Sequence, residues 1–330
     1  SWMFNIKQIT KGNNMDNLKK IGLTALGTAL VTAGSAQAAS MSVSGATSIF
    51  FNGEDNSDLG NGWSMTDSIS FTASGEMDNG FTISTSIEMD NFIAGNSDRS
   101  ISIDTGDMGK LTFSGSGTSG PIGAWDDVTP SANEEAHGTA TAGTAAGAAN
   151  AASSANRFVY DYTAMDGLAI KASYTPSGGV GVVESSTEIG ALYTGIEGLS
   201  IYAAMGENNN QPTAGITGKA DLTAFAAVYT MGAISVGYQA NETDSGTASE
   251  DEDFTAIGVS YAVSDDLSIS YNVSEIDFES GTNDQEATGV SFSYTSGGMT
   301  ISGTHSTIDN VAGTGTADNS GYEINFVFAF

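Results

Sequence analysis

The stretch Trp63–Ser74, WSMTDSISFTAS, changes side-chain type at every position. Its even-numbered residues are all serine or threonine, and its odd-numbered residues are apolar except for Asp67. Successive side chains of a β-strand point to opposite faces, so this period of two predicts a strand with one hydroxyl-rich face and one apolar face. The same alternation recurs in Leu199–Met205, Leu267–Val273 and Tyr322–Phe330.

Sixteen segments of this kind can be counted after Ala39, and they predict an all-β fold. The predicted strands begin near Ser40, Trp63, Phe81, Arg99, Lys110, Arg157, Leu168, Thr187, Leu199, Lys219, Ala233, Asp253, Leu267, Ala287, Met299 and Gly321. Seven of the connections are short and rich in Gly and Asp, which favour tight hairpins. These turns are Met77–Gly80, Gly106–Gly109, Ala164–Gly167, Gly195–Gly198, Met231–Gly232, Ala262–Asp266 and Thr295–Gly298.

The short turns alternate with eight longer connections, which are polar and mostly acidic. Outer-membrane barrels have short turns on one side of the membrane and longer loops on the other, whereas a soluble sandwich has no reason for this arrangement. No later stretch approaches the roughly 18 consecutive apolar residues of a transmembrane helix. The predicted fold class is a 16-stranded antiparallel transmembrane β-barrel.

The N-terminal segment has the pattern of an export signal. Lys19 and Lys20 precede the apolar run Ile21–Val31, whose 11 residues are too few to span a bilayer as a helix. The small-x-small pattern Ala36–Ala38 follows, so we expect cleavage before Ala39. The predicted divisions are an upstream non-native or untranslated segment (1–14), a signal peptide (15–38) and the barrel (39–330).

The composition argues against several classes of function. The chain has 9 Lys and Arg against 39 Asp and Glu; four of these basic residues and one acid precede Ala39, which leaves a formal charge of −33 on the predicted mature part. Nucleic-acid binding is excluded because phosphate contacts need basic patches. Cations should be attracted and anions repelled.

Neither catalysis nor a resident cofactor is expected. Cysteine is absent, and the two histidines, His137 and His305, have no metal-ligand spacing around them. The sequence contains no Ser-x-x-Lys or Gly-x-Ser-x-Gly nucleophile motif. The acidic loops leave open weak binding of divalent cations such as Ca²⁺, without a complete Ca²⁺-loop spacing.

Three segments carry a resemblance to a known family. Tyr322–Phe330 is similar to the last strand of outer-membrane porins, whose terminal Phe, here Phe330, is recognised by the barrel assembly machinery. Asn156–Tyr162 looks like the segment after the constriction loop of general porins, and Gly109–Phe113 resembles the strand before it. From Met15 to the C-terminus the chain resembles trimeric general porins of the alphaproteobacterial type.

The resemblance implies a homotrimer in the outer membrane of a Gram-negative bacterium, in contact with lipid and lipopolysaccharide. It also implies a third loop folded into the lumen, which corresponds here to residues 114–156. Asp67, an acid on an apolar strand face, agrees with a trimer because a protein interface would relieve its cost in lipid.

Charged residues near this loop are the candidate site. The predicted constriction acids are Asp126, Asp127, Glu134 and Glu135. Basic residues that are out of phase with the apolar strand faces should line the pore wall opposite them: Lys110, Arg157 and Lys171. Such an arrangement sets a transverse field across the pore. In the alternative interpretation the basic residues pair with inward-facing acids, namely Glu88, Asp104 and Asp161.

The leading hypothesis is a water-filled diffusion channel that prefers cations and passes small hydrophilic solutes. A substrate-specific outer-membrane channel is the alternative, and it would call for a ladder of aromatic or arginine side chains in the lumen. A secreted or surface β-rich adhesin is the third hypothesis, and dependence on detergent separates it from both channels.

Overall fold

The computed structural model describes residues 40–54, 62–90, 96–136, 155–177, 184–209, 219–246, 251–280 and 283–330. The predicted export signal and His137 lie outside these ranges. Among the described residues, no helix has the length and apolar character needed to cross a membrane.

The described residues form sixteen strands in one closed antiparallel barrel, in which every strand pairs with its neighbours in sequence and β1 pairs with β16. The strands are β1 Ser40–Glu54, β2 Trp63–Glu76, β3 Thr82–Asp90, β4 Asn96–Asp104, β5 Lys110–Ser116, β6 Arg157–Met165, β7 Leu168–Thr175, β8 Ser186–Ile196, β9 Leu199–Asn208, β10 Ala220–Met231, β11 Ile234–Ser245, β12 Glu252–Ala262, β13 Leu267–Phe278, β14 Gln285–Ser296, β15 Met299–Asp309 and β16 Asn319–Ala329. One short helix, α1 Pro121–Trp125, follows β5, and 3₁₀ turns lie at Gly106–Met108 and Val311–Gly313. The predicted fold class is confirmed, and each predicted strand start lies within three residues of the observed one.

The seven short turns all lie at the end of the barrel where the first strand begins and the last one ends. Gly167 shows why glycine is needed there: its φ is +77°, and a β-carbon would approach the backbone of Gly195 to 2.6 Å. The backbone N–H groups of Gly45 and Phe330 each donate to the other residue's carbonyl at 2.9 Å, which closes the barrel at this end. Among the described strands none is left with a free sheet edge, as a membrane-spanning sheet requires.

The two faces of the barrel wall have opposite character. Large apolar side chains point outward and are exposed, as for Phe225 (45%) and Tyr229 (48%) on β10. The inner face carries hydroxyl pairs, such as Ser84 with Ser102, whose oxygens are 2.7 Å apart. An apolar exterior and a polar interior are the reverse of a soluble sandwich and are typical of an outer-membrane barrel.

One part of the outer surface departs from this pattern. At the loop ends of β9–β15, outward-facing acids stand directly opposite one another across neighbouring strands. The directly opposed pairs are Glu207 with Asp221, Asp221 with Asp244, Glu242 with Asp253, Asp253 with Asp277, Glu275 with Glu286, and Glu286 with Asp309. We refer to these nine residues as the acidic band. Like charges directly opposite one another destabilise a sheet, so this band costs folding free energy unless counter-ions screen it.

Candidate functional site

The segment after β5, residues 117–136, lies inside the barrel and contains helix α1 near its start. Ile122 and Trp125 of this helix are buried against inward-facing residues of β9 and β10, among them Leu222. Gly190 on β8 makes room for the helix, because a β-carbon there would lie 2.3 Å from Cζ3 of Trp125. The expectation that the third long connection folds into the lumen is confirmed for this part of the loop.

A buried ion pair fixes the helix to the wall. Arg157 Nη2 on β6 donates to Glu188 Oε1 on β8 at 3.0 Å, and the two side chains are 1% and 0% exposed. Arg157 Nε also donates to Oγ1 of Thr175 at 3.0 Å. The other carboxylate oxygen of Glu188 accepts the backbone N–H of Ile122 at 3.2 Å. We call Arg157, Glu188, Thr175 and the N–H of Ile122 the loop clamp.

Arg157 therefore points into the barrel, as its phase in β6 predicts, but it does not face water. The expectation that it forms a basic wall across the open pore is wrong, because the loop covers it and Glu188 neutralises it. Gly120, just before α1, fits closely over the pair: a β-carbon there would lie 2.1 Å from Glu188 Oε2. Sequence reasoning missed Glu188, whose only signal is an acid at an inward position of β8.

The rest of the loop is hydrogen-bonded to the inner wall at several strands between β11 and β16. The N–H of Val128 donates to Gln239 Oε1 on β11 at 2.8 Å, and Asn272 Nδ2 on β13 donates to the carbonyl of Pro130 at 3.0 Å. Asn133 Nδ2 donates at 2.9 Å to Glu323 Oε1 on β16. The loop thus lines the wall from β8 to β16 and faces the inner surfaces of the first strands across the lumen.

The four predicted constriction acids lie on this loop close to one another. Burial, followed by the charge of Asp127, raises the pKa of Asp126 to about 7. The same two causes raise the pKa of Glu135 to about 8. Burial and the charge of Glu323 raise the pKa of Glu134. The charge of Asp127 thus contributes to the raised pKa of each of the other three acids.

The two predicted lysines, Lys110 and Lys171, are separated from these acids by α1. They belong to a row of residues of alternating charge. Lys171 Nζ is 2.6 Å from Asp161 Oδ1, and Lys110 Nζ is 3.9 Å from Asp161 Oδ2. Asp104 is the direct cross-strand neighbour of Lys110. Glu88 lies apart from this row, where its cross-strand neighbours are Ser70 and Asp98. Pairing of basic residues with inward-facing acids is thus found at Asp161.

The remaining candidate residues occupy other parts of the barrel. His305 is on the outward face of β15, as its phase predicts. Within the described ranges, no group of three or more acidic or histidine side chains has the geometry of a metal site. Phe330 is exposed and continues the pairing of β16 with β1.

Comparison with known proteins gives one family and one fold. The family model described as Gram-negative porin matches residues 22–295, and the search of curated proteins found no significant match. OmpT, an outer membrane protein of Vibrio cholerae, has a similar structure, with a TM-score of 0.65, 16% identity, and coverage of 89% of this chain and 98% of that chain. A porin refined at 1.8 Å has a TM-score of 0.65 at 15% identity, covering 88% of this chain and all of the other. A triple mutant of the Rhodopseudomonas blastica porin has a TM-score of 0.62 at 16% identity, with the same coverage.

Proposed function

The chain belongs to the Gram-negative porin family and is an outer-membrane protein, and we propose that it forms a water-filled diffusion channel that prefers cations over anions. The observation that carries the proposal is the loop of residues 117–136, which is bonded along the inner wall and brings four acids into the lumen. Acids at a constriction act at short range and are little screened by salt, so they determine which ions enter. No enzymatic step is part of the proposal.

The test is the reversal potential of the purified protein in a planar bilayer that separates two KCl concentrations. We expect a potential of the sign that marks K⁺ preference, reduced but still present at high salt. A reversal potential near zero, or of the opposite sign, would contradict cation preference. A current that saturates with one solute, and that this solute blocks, would favour the substrate-specific channel instead.

The partners of this channel are its own copies and the lipid around it. We infer a homotrimer, supported by Asp67, whose position in β2 has the same phase as the outward-facing Met65 on an otherwise apolar face. An ionised carboxylate near the bilayer midplane costs about 2 kcal/mol or more, which a neighbouring subunit would relieve. Native gels of unheated protein in mild detergent should show a species of about three monomer masses, and a stable monomer would contradict the trimer.

The acidic band is proposed to attract divalent cations at the outer surface of the barrel. Its exposed acids are at the loop ends of the strands, the level at which an outer-membrane barrel meets the lipopolysaccharide headgroups. The described residues offer no fixed metal site, so we propose that divalent cations such as Ca²⁺ collect along the band as diffuse counter-ions and join it to anionic lipid.

Export and assembly complete the proposal. The pattern in residues 15–38 supports cleavage of a signal peptide before Ala39, and mass spectrometry of the mature protein would identify that end. Phe330 directly follows β16 and pairs with Gly45 of β1, at the position where the barrel closes. We propose that it is the residue read by the assembly machinery, and removal of Phe330 should lower the amount of folded barrel in the outer membrane.

A further inference from the structure

We propose that the charge row Asp104, Lys110, Asp161 and Lys171 forms a weak binding site for small zwitterionic solutes, molecules of amino-acid size that carry one ammonium and one carboxylate group. This inference rests on the proposed channel function, because the solutes reach the row through the lumen. It adds a preferred class of solute to a pore that would otherwise discriminate only by size and net charge.

The strand register produces the alternation. Asp104 on β4 stands opposite Lys110 on β5, Lys110 stands opposite Asp161 on β6, and Asp161 stands opposite Lys171 on β7. Lys171 in turn stands opposite Gly190 on β8, where α1 fills the space left by the missing side chain. Neighbouring strands are about 4.8 Å apart, so negative and positive groups follow one another at that spacing across four strands.

Both a positive and a negative group of the row can still bind a solute. Asp161 is shared by the two lysines, and Lys110 is the looser partner, at 3.9 Å with a side chain that is 46% exposed. An ammonium group has three donors, so Lys110 can hold a carboxylate oxygen without leaving Asp161. Asp104 accepts the N–H of Gly106 at 2.9 Å through Oδ1, while its side chain is exposed and Oδ2 has no protein partner among the described residues.

The row borders a recess large enough for such a solute. The recess has a volume of about 740 Å³ and lies between α1 and the turn that joins β4 to β5. Trp125 and Leu192 form an apolar part of its wall beside the four residues of the row, and Asp107 is a fifth charged residue in the lining. A carboxylate on Lys110 and an ammonium on Asp104 would place both charged groups of an amino acid against residues of opposite charge.

Charge explains why zwitterions are favoured over simple ions. The row itself has no formal net charge, and Asp107 gives the lining of the recess one net negative charge within a predicted mature chain of −33, so an anion that contacts a lysine is repelled by the acids around it. A simple cation can bind to many other acids along the pore, so the row gives it no particular advantage. A solute with both charges satisfies both kinds of group at once, and its neutral total avoids long-range repulsion. Binding must remain weak for the solute to leave toward either side.

The test is uptake of isotopically labelled solutes at low concentration into liposomes that contain the intact protein. The solutes are alanine as the zwitterion and lactamide as its neutral match in size, with lactate as the anion. We expect alanine to enter about two- to fivefold faster than lactamide, the range that one or two exposed ion pairs provide. Lys110→Gln should reduce this ratio toward one, whereas Lys219→Gln, the same change next to β10, should leave it unaltered.

The outcomes separate this inference from the channel proposal. If the protein gives no KCl conductance, the channel proposal fails. If it conducts KCl but alanine enters no faster than lactamide, the channel proposal stands and the zwitterion site is refuted. Uptake of lactate that equals or exceeds that of alanine would also refute it, since the row would then be an anion site. Conductance of the Lys110→Gln variant in KCl verifies that its barrel is intact.

Discussion

Glu188 binds Arg157 and the N–H of Ile122 at the same time, so one carboxylate of β8 joins β6 to the helix that begins the pore loop. A buried ion pair adds little stability compared with well-packed apolar residues, but removal of one partner is costly because the other charge remains buried. The position of the helix therefore depends on both members of this pair.

We predict that Glu188→Gln releases the helix from the wall. The change leaves the guanidinium of Arg157 buried without its counter-charge, at a cost of about 3–5 kcal/mol. The single-channel current should fluctuate between levels, and the melting temperature of the protein should fall. The matched control is Glu184→Gln, which removes the acid of the exposed pair with Lys219 and should change neither measurement. A quiet channel of normal conductance in Glu188→Gln would show that the clamp does not hold the loop.

Cation preference should increase with pH. The pKa of Asp126 is raised to about 7 and that of Glu135 to about 8, so both carboxyls are largely neutral near pH 6 and largely charged near pH 9. The negative charge at the constriction therefore grows as pH rises, and the reversal potential in a KCl gradient should move further toward that of K⁺. The double variant Asp126→Asn with Glu135→Gln should have a much smaller pH dependence. An unchanged pH dependence in that variant would place the titrating groups elsewhere.

The loop acids should control selectivity more strongly than acids on the outer surface. Replacement of Asp126 and Asp127 together by Asn should reduce the reversal potential measured at pH 8 more than replacement of Asp253 and Asp277 by Asn. The two double variants remove the same formal charge, but the second pair belongs to the exposed acidic band, where salt screens charges beyond about 10 Å at 0.1 M. If the change in the band has the larger effect, residues 117–136 do not form the constriction.

Divalent cations should stabilise the barrel through the acidic band. Protein treated with a chelator should gain melting temperature when millimolar Ca²⁺ is added, because cations that bind the folded state preferentially stabilise it. Asp253→Asn with Asp277→Asn should melt at a higher temperature in chelator than the unaltered protein and should respond less to Ca²⁺, since the substitutions remove like charges that face each other directly. Equal responses of the two proteins to Ca²⁺ would contradict the proposed place of the ions.

The barrel could be predicted from sequence because its determinants are local. The hydroxyl and apolar alternation of Trp63–Glu76 fixes both faces of β2, and glycines such as Gly167 mark the turns. Ala220–Met231 was harder, because alanine occupies positions of both phases, and only the observed outward direction of Phe225 and Tyr229 identifies its lipid-facing side.

The site could be predicted only in part, because it depends on the path of the loop. The phase of β6 places Arg157 inside the barrel, but its burial follows from contacts with Glu188, 31 residues later, and with α1. The attachment of the loop to Glu323, 190 residues after Asn133, likewise leaves no mark in the local pattern. By contrast, prediction of the charge row requires only the correct strand register, because its members are direct neighbours across adjacent strands.

The pairing of β1 with β16 has a consequence for the order of folding. Fifteen of the sixteen strand pairings in the described barrel join neighbours in sequence, and each can form as a hairpin once its own two strands are present. The sixteenth joins Ala46 to Ala329 and must bridge almost the entire chain. The loop-closure entropy of that contact is the largest in the molecule, and it can form only after the last strand has been delivered. An unfinished chain therefore keeps two open sheet edges however many hairpins it has made, and the edges vanish together in a single closing event.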